Sequence, residues 1–89
     1  MIHIERHIDD ARQRELGVAQ WPVWSKEVSR FPWHYDETET CWLIAGRVRV
    51  TAADGESVTL EAGDLARFPA GLDCTWEVLE PLSKHYRFG

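Results

Sequence analysis

The sequence predicts an all-β fold, one small jelly-roll barrel preceded by a short helical arm, and three observations carry that expectation. Short stretches of alternating apolar and polar residues follow one another from Lys26 onward. Gly, Pro and Asp interrupt them at near-regular spacing, the pattern of a barrel with brief strands and frequent corners. The run Gly63-Asp64-Leu65-Ala66-Arg67-Phe68-Pro69-Ala70-Gly71 compresses the pattern into a single unit. Gly63-Asp64 makes a tight turn, because Gly accepts positive φ and Asp hydrogen-bonds local backbone. Leu65 to Phe68 is one short strand, with Ala66 and Phe68 toward the core and Arg67 outward. Pro69 has no N–H to give a ladder, and Gly71 bends the chain again.

Composition sets the limits. Eighty-nine residues make at most one domain. A chain of this length buries roughly 60–65% of its unfolded surface, so its core is thin. Five Trp residues compensate in part, each aromatic burying on the order of 150–250 Å². The net charge is −5 and the basic residues are scattered, which argues against a nucleic-acid partner. Met1 to Glu15 is charged throughout, unlike a secretory signal. No run approaches the roughly 20 apolar residues of a membrane span. Two cysteines without an export signal point to reduced thiols and a cytoplasmic location.

Residues 1–24 read as an arm packed on the barrel, not as a barrel strand, and residues 25–89 as the barrel. Asp9 or Asp10 caps a short helix through about Leu16, and Gly17 stops it. So polar a helix of two turns must dock on something. Trp21-Pro22-Val23-Trp24 places two indoles where they cover the outside of the barrel, the alternative being a partner-binding role. Glu27 to Phe31 is a strand, with Pro32 marking an edge or bulge. Thr38 to Ala45 is rich in β-branched and aromatic residues. Its alternation sets Glu39, Cys41 and Leu43 on one face and Thr40, Trp42 and Ile44 on the other, and both faces are apolar enough to be covered. Gly46 is expected to break this strand. Val48, Val50 and Thr51 lie on the next, with Arg47 and Arg49 in solvent. Ala53-Asp54-Gly55-Glu56 is a hairpin turn, returning through Val58 and Leu60. Cys74, Trp76 and Val78 share one strand face; Pro81 is expected to end that strand, and Lys84 to Phe88 to form the last.

Two motifs then carry a resemblance. Glu39 is followed after six residues by Gly46, and Gly63, Pro69 and Gly71 follow at the spacing Gly, five residues, Pro, one residue, Gly. In these the chain resembles the cupin superfamily, the RmlC-like double-stranded β-helices. The phrases Glu39-Thr40-Cys41-Trp42-Leu43 and Phe68-Pro69-Ala70-Gly71-Leu72-Asp73-Cys74-Thr75-Trp76-Glu77-Val78, the Trp-Pro-x-Trp arm and the ending Lys84-His85-Tyr86 are similar to small single-domain cupins related to the cupin domain of ureidoglycine aminohydrolase.

The resemblance implies a metal site built from two His and a Glu of the first motif and a His of the second. Glu39 stands at the Glu and His34 at the second His. The first His falls on Pro32 and the last on Cys74. What remains is His34, Glu39 and Cys74, a set with which Zn, Mn, Fe or Ni is compatible by ligand type. The opposing reading is a barrel without a metal, in which Cys74 packs as a small hydrophobe. Glu39 is also the catalytic candidate, since a carboxylate inside a barrel requires a cation, a donor network or protonation; Tyr35, Trp76 and Tyr86 are the donors expected for it. Tyr35, Cys41, Leu43, Trp76 and Tyr86 are expected to line the pocket. His85 is assigned to a surface or edge, and His3 and His7 to no role.

The function implied is that of a small cupin acting on a nitrogenous or carboxylated metabolite, as an enzyme similar to ureidoglycine aminohydrolase. The alternatives are a non-catalytic small-molecule binding or sensor module and a structural barrel that has lost its metal. A thin core and a Trp-rich arm lead to the expectation of a homodimer.

Overall fold

The computed structural model describes all residues 1–89 and shows one seven-stranded antiparallel sheet rolled into a barrel. In chain order the elements are β1 (His3–Glu5), α1 (Asp10–Leu16), a 3₁₀ turn (Val18–Gln20), β2 (Val23–Lys26), β3 (Ser29–His34), β4 (Glu39–Ala52), β5 (Ser57–Glu61), β6 (Leu65–Phe68) and β7 (Asp73–Phe88). The two long strands organise the roll. The first part of β4, from Glu39 to Trp42, is flanked by β6 and by the end of β7; its second part, from Arg47 to Thr51, is flanked by β5 and by the middle of β7. Strand β7 in turn carries β3 on Asp73–Val78 and β2 on Leu82–His85. No helix is long and apolar enough to cross a membrane.

Two expected strand breaks do not occur. Gly46 and Pro81 both lie inside continuous strands, β4 and β7. They meet at one place: a Cβ on Gly46 would fall 2.8 Å from Leu82 Cα and closer still to Pro81 O, and Gly46 has φ +94°. The β4–β7 register shifts three times between Leu43 and Val48, and Pro81 has no partner in the ladder. A proline without an N–H and a glycine at positive φ thus share a bulge that bends both strands, and the bend replaces the interruption read from the sequence.

The N-terminal segment also departs from expectation. His3–Glu5 is a strand, paired antiparallel with β6 from Arg67 to Leu65, and Val23–Lys26 pairs with β7. The arm therefore closes two sheet edges. Helix α1 forms as read: the Asp9 carboxylate accepts the Arg12 N–H at 2.8 Å, and Gly17 closes the helix at φ +73°. It buries none of its own residues completely; instead Val18, Trp21 and Leu65 form a small cluster beside Ile8, Leu16 and Trp42. That cluster covers Trp42 on the outer face of β4, whereas Ile44 remains exposed.

A buried carboxylate fastens the arm. Asp64 is wholly buried and accepts the N–H groups of His7 at 3.1 Å and Glu61 at 3.0 Å, with Arg6 at 2.8 Å. His7 adopts φ +44°, the left-handed conformation that lets its N–H reach Asp64. Burial works against the charge on Asp64, but these donors outweigh it and hold the carboxyl below its ordinary range. The sequence reading of Gly63-Asp64 as a turn is right, but it gave no sign of the long-range clasp to Arg6 and His7.

The main core lies inside the roll. Cys41 and Leu43 of β4, Val48 and Val50 beyond the bulge, Ala66 and Phe68 of β6, and Cys74, Trp76 and Val78 of β7 belong to one buried cluster. Arg47, Arg49 and Arg67 point to solvent.

Candidate functional site

One end of the barrel interior is not filled. Strands β2 and β3 bring Trp24, Phe31 and Trp33, β7 brings Trp76, and with Tyr35, Tyr86 and Phe88 they wall a cavity of about 200 Å³. Trp24, expected to cover the outside of the barrel, faces inward because strand β2 turns it toward Lys84. Its lining is almost wholly aromatic. The two exceptions are Glu39 and Lys84.

Those two residues form an ion pair. Lys84 Nζ donates to Glu39 Oε2 at 2.7 Å, with the side chains 7% and 4% exposed. Glu39 opens β4 and is held inward by the alternation that also buries Cys41 and Leu43. Lys84 faces Leu43 across the ladder, on the same side of the sheet. Its ammonium sits over two indoles, 4.4 Å from the Trp76 ring centre and 5.1 Å from that of Trp24, so cation–π attraction supports the ion pair. Tyr35 stacks flat on Phe68 at 5.2 Å. Burial, together with the neighbouring Glu39 carboxylate, raises the Tyr35 phenol above its ordinary range, so the hydroxyl stays protonated as a donor.

The buried carboxylate thus has the cation it requires, and the cation is Lys84. Tyr35, Trp76 and Tyr86, the donors expected from the sequence, do line the same cavity. Cys41 and Leu43 do not; both are fully buried in the core behind it. The Trp76 indole N–H is buried with no hydrogen-bond partner. It biases the Cys74 thiol downward against the larger, raising effect of burial, without reaching hydrogen-bonding geometry.

The residues proposed as metal ligands are not brought together. His34 is half exposed at the rim, with Nδ1 2.7 Å from Asp73 Oδ1 and Nε2 3.6 Å from Asp36 Oδ1. Cys74 is buried, its thiol raised by burial and directed to the Trp33 carbonyl at 3.7 Å. Glu39 is engaged by Lys84. No three His, Cys, Asp or Glu side chains gather as a metal would need. The donor set therefore does not fit the metal implied by the resemblance. His85 lies on the outer face, its Nδ1 2.9 Å from the Trp21 carbonyl and its ring against Trp42.

Lys84 is the functional candidate that sequence reasoning missed. The alternation Lys84, Tyr86, Phe88 against His85, Arg87 was available, and two aromatic residues on the lysine's face marked that face as inward. The general rule that lysines stay at the surface worked against it.

An antiparallel roll with Gly63, Pro69 and Gly71 at its corners, Glu39 facing inward and Gly46 at a bulge of the same strand, with a cavity inside one end, is a small single-domain cupin. The family model of the EutQ-like cupin domain matches residues 13–86, so the chain belongs to that family. A DUF861 family protein from Thermotoga maritima is similar over the whole of both chains, with 47% identity and a TM-score of 0.96. A putative ethanolamine utilization protein Q from Salmonella typhimurium and the EutQ protein of Clostridium difficile share the fold at 21% identity each, with TM-scores of 0.68 and 0.69. Each of those two matches covers 74% of this chain but only 53% and 52% of the other, so this chain corresponds to about half of each. No curated protein matches.

Proposed function

We propose that this cupin binds a small, neutral, largely planar molecule in the aromatic cavity, with a carbonyl oxygen of the ligand directed to Lys84. The observation that carries this reading is the Glu39–Lys84 pair, which lines an aromatic-walled cavity instead of being sealed in the core. Aromatic walls favour stacking on a flat ligand face. The cavity's volume of about 200 Å³ suits a compact ligand, being below the roughly 300–1,000 Å³ common for drug-sized ones. Because Glu39 already neutralises Lys84, a carboxylate ligand would set two carboxylates on one ammonium, and a neutral carbonyl fits better. Both cysteines are free thiols, as suits the reducing cytoplasm proposed for the protein.

Hydrolysis of a nitrogenous metabolite, the activity implied by the likeness to ureidoglycine aminohydrolase, is supported by no contact described above. Titration with benzamide, read by tryptophan fluorescence, tests the binding reading. Saturable quenching is expected, weaker with benzoate, and weakened about fivefold or more in Trp24→Ala, as for truncation of an aromatic anchor worth at least about 1 kcal/mol. Quenching that never saturates, or that Trp24→Ala leaves unchanged, contradicts it.

A further inference from the structure

From the placement of Lys84 we infer that the cavity binds aldehydes or ketones covalently and reversibly, as an imine on the Lys84 amine. The inference rests on the cavity being the ligand site. The chain has two lysines, Lys26 and Lys84, and they differ sharply. Lys26 lies on edge strand β2, 3.9 Å from the exposed carboxylate of Glu27. Lys84 is 5% exposed, bracketed by two indoles, and hydrogen-bonded to a carboxylate at 2.7 Å. A lysine in an apolar cavity beside a proton acceptor is the arrangement in which an amine attacks a carbonyl.

The steps balance without a cofactor. Glu39 takes a proton from the Lys84 ammonium, leaving an amine and a carboxylic acid 2.7 Å apart. The amine lone pair forms the C–N bond while the carbonyl π pair moves to oxygen. A proton passes from nitrogen to that oxygen, giving a carbinolamine. Glu39 returns its proton to the hydroxyl as the C–O bond breaks and water leaves. The product is a protonated imine whose positive charge faces the regenerated Glu39 carboxylate. The charge at the site is zero before and after, so the product cation inherits the counter-ion and indole faces that hold the ammonium. Tyr35 lines the same cavity and offers its hydroxyl to the carbonyl oxygen or the departing water.

The test incubates the full chain with benzaldehyde and cyanoborohydride, which reduces a protonated imine to a stable secondary amine, and maps the products by peptide mass spectrometry. Lys26, 36% exposed and 5.7 Å from the Phe31 ring centre, is the built-in comparison, less buried and outside the cavity lining. The expected result is one adduct at Lys84, forming faster than at Lys26. Glu39→Gln slows it about a hundredfold, the lower end of general acid–base contributions. Lys84→Arg, which keeps a cation beside Glu39 but has no amine to condense, gives no adduct at that position. Modification of Lys26 with Lys84 unmodified, or of Lys84 only after unfolding in urea, overturns the inference. If benzamide binds saturably while Lys84 stays unmodified, the covalent step is wrong and the cavity reading stands. If benzamide and benzaldehyde both fail to bind or react in the cavity, both are wrong.

Discussion

Replacing Lys84 by Met removes the ammonium but keeps most of the side chain's volume against Trp24 and Trp76. It leaves Glu39 without its cation, 4% exposed in a cavity whose other walls are aromatic. Breaking one side of a buried pair costs about 3–5 kcal/mol. Escape by protonation sets a ceiling. Holding an ordinary glutamic acid protonated costs 1.36 kcal/mol per pH unit above about 4.3, so about 3.7 kcal/mol at pH 7 and about 1 kcal/mol at pH 5. The expected loss is therefore about 3–4 kcal/mol at pH 7, shrinking to about 1 kcal/mol at pH 5. For an 89-residue chain the larger figure lowers Tm by roughly 15–20 °C. Urea melts of wild type and Lys84→Met at both pH values measure it. The double variant Lys84→Met, Glu39→Gln should recover much of the loss, because no bare charge remains. A loss below about 1 kcal/mol at pH 7, or an equal loss at pH 5, refutes the reasoning that a buried, mutually dependent pair lies at the cavity.

Three further outcomes follow from other parts of the molecule. Burial pushes the Cys41 thiol up to about 12 and also raises that of Cys74, so neither should react with a thiol reagent in the folded state at pH 7, and Cys74→Ser should fold at modest cost; rapid native labelling of Cys74 would show a thiolate instead. The carboxyl of Asp64 is depressed, so its stabilisation is present above the ordinary carboxylate range near pH 4 and is lost as pH falls through the lower folded value; Asp64→Asn should cost about 1–3 kcal/mol at pH 7 and flatten the acid side of the stability curve, whereas an unchanged curve means the clasp to Arg6 and His7 contributes nothing. Val23, Trp33 and Phe88 remain about half exposed, and a homodimer joined through the arm or an edge strand is expected; light scattering that gives a monomer mass from micromolar to millimolar concentration rejects it.

Much of the fold was legible because local chemistry decides it. Gly63, Pro69 and Gly71 fix corners whatever surrounds them, and Asp9 and Gly17 cap α1 by short-range bonds. The alternation of Cys74, Trp76 and Val78 correctly gave a buried face. What the sequence obscured depends on pairing across the chain. Gly46 and Pro81 each look like terminators alone, and only their meeting at one bulge lets both strands run on. Glu39 was marked as a buried carboxylate in need of a partner, but its partner is 45 residues away and of a type that rarely goes inside. The resemblance sets His34 at a ligand position, yet its side chain is half exposed at the rim beside Asp36 and Asp73. Alignment with a motif shows where a side chain begins along the strand; its neighbours decide where it ends.

The five indole N–H groups offer the most direct test of the cavity as the ligand site. Trp24, Trp33 and Trp76 wall the cavity, whereas Trp21 and Trp42 belong to the separate cluster under the arm. In a ¹⁵N–¹H correlation spectrum with benzamide added stepwise, the Trp24 and Trp76 indole signals should shift together and saturate. The Trp21 and Trp42 signals should stay in place. Movement of Trp21 and Trp42 with Trp24 and Trp76 unmoved would contradict the assignment of the site.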